Sequence, residues 1–254
     1  MRLFDLSSPI DPASGDPLPA RIDYSDHDAN VPHLARLLGV DPRDVPDGKG
    51  SATEVVHART HTGTHMDAPY HYFPTCGGRP ARTIDQIPLE WCFGDAVVLD
   101  FHTLAAGSEI APADLEAALA AIAYRLKPLD IVLIRTDASQ RFYSPDYAHS
   151  HAGMGAAATL WLIERGIRVM GIDAWAWDTP LRLQGERFIR EGRRDPSLLW
   201  AAHRVGKDHE YVQLEQLAGL DRLPRPHGFK AAVFPVKVAR ASAGWVRAVA
   251  IFDA

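Results

Sequence analysis

Cysteine is nearly absent: two residues, Cys76 and Cys92, in a chain of 254. That excludes a disulfide framework and a four-cysteine zinc site, and it fits a reducing compartment. Basic residues are not in excess. Lys and Arg total 27 against 32 Asp and Glu, for a net charge of -5 and a pI near 6.2. With no basic stripe, nothing favours nucleic acid as a partner. Nowhere does the chain run 18 apolar residues, so no membrane span is expected. The opening MRLFDLSSPIDP lacks the basic start and apolar stretch of a secretory signal, so a cytoplasmic location is expected. Internal repeats and low-complexity tracts are missing too.

What is present is an ordinary globular composition, 46% hydrophobic and 23% charged, with enough length for a full core. Residues 9–50, rich in Pro, Gly and Asp, read as a loop-rich arm with a short helical stretch at 31–38. Val- and Ile-rich runs at 53–59, 96–101, 131–135, 169–172, 231–238 and 246–252 read as strands. Helices are expected at 112–125, with Pro and acids at its start, at 155–164, ending at Gly166, and at 196–205, behind Asp195. Strands alternating with helices in the middle third, then a strand-rich end, predict one α/β domain over residues 1–254 with a mixed sheet.

The unusual count is 12 histidines, scattered rather than blocked. Within residues 59–72, RTHTGTHMDAPYHY, fall His61, His65, Asp67 and His71. Imidazole and carboxylate together suit zinc, manganese or iron. Gly63 and Pro69 inside the cluster argue against a helix and for a strand end running into a tight loop. In extended chain, residues two apart share a face, so His65 and Asp67 can converge on one ion. An isolated histidine is more often packed or solvated; this many around one turn point to metal. No HExxH is present. Among later residues His203 and Glu215 stand out as further ligands, with His149, His151, His209 and His227 competing. His203 falls on the expected helix 196–205 and Glu215 in YVQLEQL, a strand.

The run from His61 to His71, H-T-G-T-H-M-D-A-P-Y-H, resembles the H-x-G-T-H-x-D-x-P-x-H signature of the cyclase-like metal-dependent hydrolases, the family of bacterial kynurenine formamidase and isatin hydrolase. Gly171-Ile-Asp173-Ala-Trp175, Gly228-Phe229, Pro235 and the run 243–247 are similar to later family blocks, as is the separation of His203 from Glu215. The resemblance implies a swivelling β/β/α fold and a homodimer. It implies that His61, His65 and Asp67 bind a first ion, zinc or manganese. Asp67, His203 and Glu215 would hold a second where two are present, and His71 would donate and accept protons. The family's formamidase holds its substrate with an aromatic side chain of the N-terminal loop; here that region offers Leu18 and Tyr24.

The reaction expected is hydrolysis of a C–N or C–O acyl bond, in an amide, lactam, cyclic imide or lactone of a small aromatic or cyclic compound. A bound divalent ion lowers the pKa of water to about 7, and His71, with an ordinary pKa of about 6.5, suits general acid–base work. Substrate contacts are expected from Tyr24, from Arg135 at the end of DIVLIRT, and from Trp175 and Trp177 in GIDAWAWD, where core packing competes. Trp200 is expected in the core, and Thr62 and Thr64 could orient ligands. Two rival readings are a metal-dependent cyclase or dehydratase of a biosynthetic pathway, and a metal-binding protein without turnover. A serine hydrolase would want G-x-S-x-G; the nearest run, Arg240-Ala-Ser242-Ala-Gly244, lacks the first glycine. Gly153-Met-Gly155 near a helix start lacks the preceding strand of a dinucleotide site.

Overall fold

A computed structural model describes residues 1–253. Nine strands among the described residues form one curled mixed sheet, in the order Arg2–Asp5, Val249–Phe252, Phe229–Ala232, Phe93–Asp100, Ile131–Arg135, Val169–Ile172, Val212–Glu215, His65–Asp67, Ala243–Trp245. The stretch from Phe93–Asp100 to Val212–Glu215 is parallel, and both flanks are antiparallel. Helices Pro112–Ala121 and Ala156–Glu164 make the first two parallel crossovers.

The centre of the sheet is buried on both faces, which is why it reads as unbroken apolar runs. Alternation still sorts the side chains. Val97, Leu99, Val132, Ile134, Met170 and Ile172 pack with Leu115 and Leu162 of the helices. Their neighbours Ala96, Val98, Ile131, Leu133 and Val169 face the inside of the curl with Met66, Leu214 and Phe252. Gly166 closes Ala156–Glu164 at φ 83, its N–H bonded to Ile163 O while Ile167 N–H reaches Leu162 O.

Several expectations shift. The 53–59 run forms a strand, Thr53–His57, but every residue in it is exposed. It pairs with Arg21–Ser25 as a separate ribbon, and with helix Val31–Leu38 these give residues 9–50 regular structure. β-Branched residues favour extended chain without deciding what it packs against. The run 231–238 narrows to a strand at Phe229–Ala232, and 246–252 to Val249–Phe252 behind Ala243–Trp245. Helix 112–125 stops at Ala121. Helix 196–205 divides into a 3-10 turn, Pro196–Leu198, and a short helix, Ala201–Arg204, because Trp200 adopts a left-handed conformation at φ 58. A helix not foreseen, Leu181–Arg190, precedes them. No described helix is long and apolar enough to cross a membrane.

Candidate metal centre

The centre is assembled by sheet register. His65–Asp67 pairs antiparallel with Val212–Glu215, setting His65 opposite Glu215 and Asp67 opposite Gln213. Residues two apart share a face, so these four side chains project together while Met66 and Leu214 point into the core. Gly63 turns the chain into this strand at φ 67, packed so that a Cβ there would lie 3.3 Å from Pro9 O and the Ile10 side chain. Pro69 opens a helical turn, Pro69–Tyr72, rather than a loop, and Pro is tolerated at a first helical position. The turn carries His71 back over Asp67.

His61 Nδ1 lies 2.8 Å from Asp67 Oδ1, and His65 Nε2 lies 3.3 Å from the same oxygen and 3.6 Å from Glu215 Oε2. His71 Nε2 is 3.7 Å from Asp67 Oδ2. His65 Nε2 and Asp67 Oδ1 are buried and make no aligned hydrogen bond. Leaving such an atom unsatisfied costs about 1–3 kcal/mol. Ligand atoms of His65, Asp67 and Glu215 lie within 4.8 Å of one another, as do those of His61, Asp67 and His71. A divalent cation fits this donor set, since it would satisfy both orphaned atoms at once. The ligands are also pre-oriented. His65 Nδ1 donates to Gly63 O at 2.8 Å, which presents Nε2 to the centre. His61 Nε2 contacts Ser242 Oγ at 3.0 Å, turning Nδ1 inward. Trp177 N–H donates to Glu215 Oε1 at 2.8 Å.

Charge is tightly coupled here. Burial alone raises the Asp67 carboxyl, but His71, His61 and His65 hold it well below the usual carboxylate range. Burial lowers the His65 imidazole, yet Asp67 and Glu215 prevail and lift it to about 9. For His71 burial wins over Asp67 and depresses it to about 4, so it is neutral at pH 7. In the ion-free protein the proton on His65 therefore competes with a metal at neutral pH. Apparent metal affinity should rise about tenfold per pH unit from 7 and level off above about 9, with about one proton released per ion at pH 7. Titration calorimetry in buffers of different ionisation enthalpy checks this; proton-neutral binding at pH 7 contradicts it.

The centre opens into a cavity of about 240 Å³. Leu18, Trp175, Leu181 and Trp200 form apolar walls, and Asp16, His61, His71, His203, Glu215 and Gln216 the polar ones, with Arg59 also lining it. Trp200 stacks on His203 at 4.5 Å and meets His71 edge-on at 5.3 Å, so it lines the site rather than the core. Trp175 donates its indole N–H to Asp16.

Three expected substrate contacts lie elsewhere. Tyr24 is 72% exposed on the ribbon and lines no part of this cavity. Arg135 is committed to ion pairs with Asp137 at 2.6 Å and Asp100 at 2.9 Å. Trp177 is fully buried in the core, its indole bonded to Thr159. The two tryptophans part company because strand Val169–Ile172 has already ended, and two-residue alternation no longer governs them. Asp173 likewise stays structural: Thr136 N–H and Oγ–H, and Asp137 N–H, bond to its carboxylate, which burial raises to about 6.

His203 does reach the centre, its Nε2 3.4 Å from Glu215 Oε1 and 3.8 Å from Asp67 Oδ2. It joins neither convergent ligand group. Asp178 bonds its Nδ1 and also accepts the N–H groups of Ala202 and His203. Gln213, Asp16 and Gln216 were missed in the sequence. Gln213 had a signal, since it sits two residues before Glu215 in a strand. Asp16 comes from a segment with no readable period, and Gln216 leaves the strand at a positive φ of 57.

A family model described as "Putative cyclase" matches residues 4–179, and the chain belongs to that family. In fold it is similar to isatin hydrolase A from Ralstonia solanacearum, with 22% identity, a TM-score of 0.78, and coverage of 99% of this chain and 92% of that one. It is also similar to isatin hydrolase A from Labrenzia aggregata bound to benzyl benzoate, with 25% identity, a TM-score of 0.75, and coverage of 99% and 93%. A third structure, of a novel cyclase, shares 21% identity at a TM-score of 0.74 over 98% of this chain and 88% of its own.

Proposed function

We propose that this chain is a metal-dependent hydrolase acting on a C–N or C–O acyl bond of a small cyclic or aromatic compound. The observation that carries the reading is the pair of buried, unsatisfied atoms, His65 Nε2 and Asp67 Oδ1, at the head of a tryptophan-walled cavity. Similarity to the isatin hydrolases favours a cyclic amide among the candidate substrates.

His61, His65 and Asp67 would hold a zinc or manganese ion, with Glu215 in reach. When bound, such an ion acidifies water and polarises a carbonyl. The protein does the rest. Trp175 and Trp200 hold a planar ring and exclude solvent. His71, neutral and beside Asp67, takes a proton from water at its imidazole nitrogen and delivers it to the leaving nitrogen or oxygen.

The family description supports a second reading, a cyclase or dehydratase in which His71 moves a proton at a carbon beside a carbonyl. Turnover of lactams, cyclic imides and lactones in oxygen-18 water separates the two. Label in the product is expected; an unlabelled product with full turnover would establish cyclisation or dehydration.

A serine hydrolase is less well supported. Ser242 Oγ is 3.0 Å from His61 Nε2 and His61 Nδ1 is 2.8 Å from Asp67 Oδ1, a hydroxyl, an imidazole and a carboxylate in succession. Yet Ser242 does not line the cavity, and Asp67 is shared by further imidazoles. We also read the chain as a homodimer. Exposed Tyr24, Leu37, Leu38 and Val55 on the ribbon and its helix support a second copy covering that arm.

A further inference from the structure

The charges around the cavity are nearly all spent within the protein. Asp16 accepts the Leu18 N–H at 2.8 Å and the Trp175 indole N–H at 3.1 Å through one oxygen, and the Gln216 amide at 3.4 Å through the other. Glu215 takes the Trp177 N–H and faces His65 and His203. His61 and His71 face Asp67, and His203 is bonded to Asp178. Arg59 differs. Among the described residues it is the only Lys or Arg on the cavity wall, it is exposed, and its guanidinium joins no ion pair and makes no hydrogen bond.

Its place is set by the backbone. The Arg59 carbonyl accepts the Thr62 N–H at 3.0 Å and the Trp245 indole N–H at 3.2 Å. That ties the residue to the turn before Gly63 and to strand Ala243–Trp245, two positions ahead of His61. Arg135, the arginine that the sequence suggested for substrate, has its fork filled by Asp137 and Asp100. The fork of Arg59 is empty and stands beside a wall that is largely apolar. A planar guanidinium is weakly hydrated and matches a carboxylate through two parallel N–H bonds.

We propose that Arg59 determines specificity, selecting substrates that carry a carboxylate on the ring, apart from the acyl bond that is cut. The ring lies against Trp175 and Trp200, the acyl group meets the centre, and the carboxylate meets Arg59. A single guanidinium balances a single negative charge, so a carboxylate suits the wall better than a phosphate, half of whose charge would stay unmatched. The inference rests on the hydrolase reading above and narrows it, since the substrate becomes a cyclic or aromatic acid rather than a neutral compound.

The test compares a phthalimide bearing a ring carboxylate with the same imide bearing an acetyl group, which is neutral and of similar shape. The metal-loaded wild type should prefer the acid by about 10- to 100-fold in kcat/KM, as a charge-assisted pair allows. Arg59→Gln should erase the preference, Arg59→Glu should reverse it, and Arg59→Lys, which keeps the charge without the fork, should retain part of it. Both compounds are also titrated by quenching of tryptophan fluorescence, which needs no turnover. Equal turnover of the two by the wild type would overturn the inference and leave the hydrolase reading intact. So would a preference that survives in Arg59→Gln, which would assign the anion to the metal. Binding that favours the acid and depends on Arg59, without turnover, would support the inference and overturn the hydrolase reading. Neither binding nor turnover of either compound would overturn both.

Discussion

His71→Ala is expected to lower turnover by about 10²- to 10⁴-fold while leaving bound metal at the wild-type level. The size follows from the loss of a positioned proton carrier. The unchanged metal content follows from geometry. His71 is partly exposed at the cavity wall, with its Nε2 3.7 Å from Asp67 Oδ2. By contrast, His65 and Asp67 are buried on the paired strands and carry the orphaned atoms. Burial depresses His71 to about 4, so it starts each cycle as a base at neutral pH. The check is a steady-state rate together with elemental analysis of the same preparation. Loss of the ion with loss of rate would make His71 a ligand and remove its role in proton transfer.

Trp177→Ala is expected to destabilise the protein by about 3–5 kcal/mol, the range for emptying a buried aromatic site. For a chain of this size that corresponds to roughly 6–20 °C in thermal midpoint. Trp177 is completely buried, bonds Thr159 through its indole, and packs with Tyr147, Leu162 and Tyr211 in the helix-side core. Trp175→Ala should behave oppositely, weakening substrate binding with a small change in midpoint, because its ring lines the cavity. Thermal unfolding of both variants, paired with KM, tests the contrast. A Trp177 variant with unchanged midpoint and raised KM would return that residue to the substrate pocket.

Much of the site could be read before folding because it lies on one short segment. His61, Gly63, His65, Asp67, Pro69 and His71 carry their own geometric instructions: a positive φ at Gly63, two-residue alternation through Asp67, and a proline that starts a turn. The same local logic exposes the parallel strands, whose apolar runs are continuous because both faces are covered. It fails for Thr53–His57, where valines suggest a strand but nothing nearby shows that the strand stays outside the core. It fails also for 196–205, since a helical period cannot reveal that Trp200 breaks it at positive φ.

The sequence by itself therefore determined the donor types, the turn that gathers them and the family they belong to. Only the tertiary structure decided which tryptophan walls the cavity, that Arg135 is consumed by Asp100 and Asp137, and that Gln213 stands among Asp67, His203 and Glu215. The reason is physical. Backbone conformation and side-chain alternation are set within a few residues. The register that brings Val212–Glu215 against His65–Asp67 is set by packing between segments more than a hundred residues apart, and no local pattern encodes that.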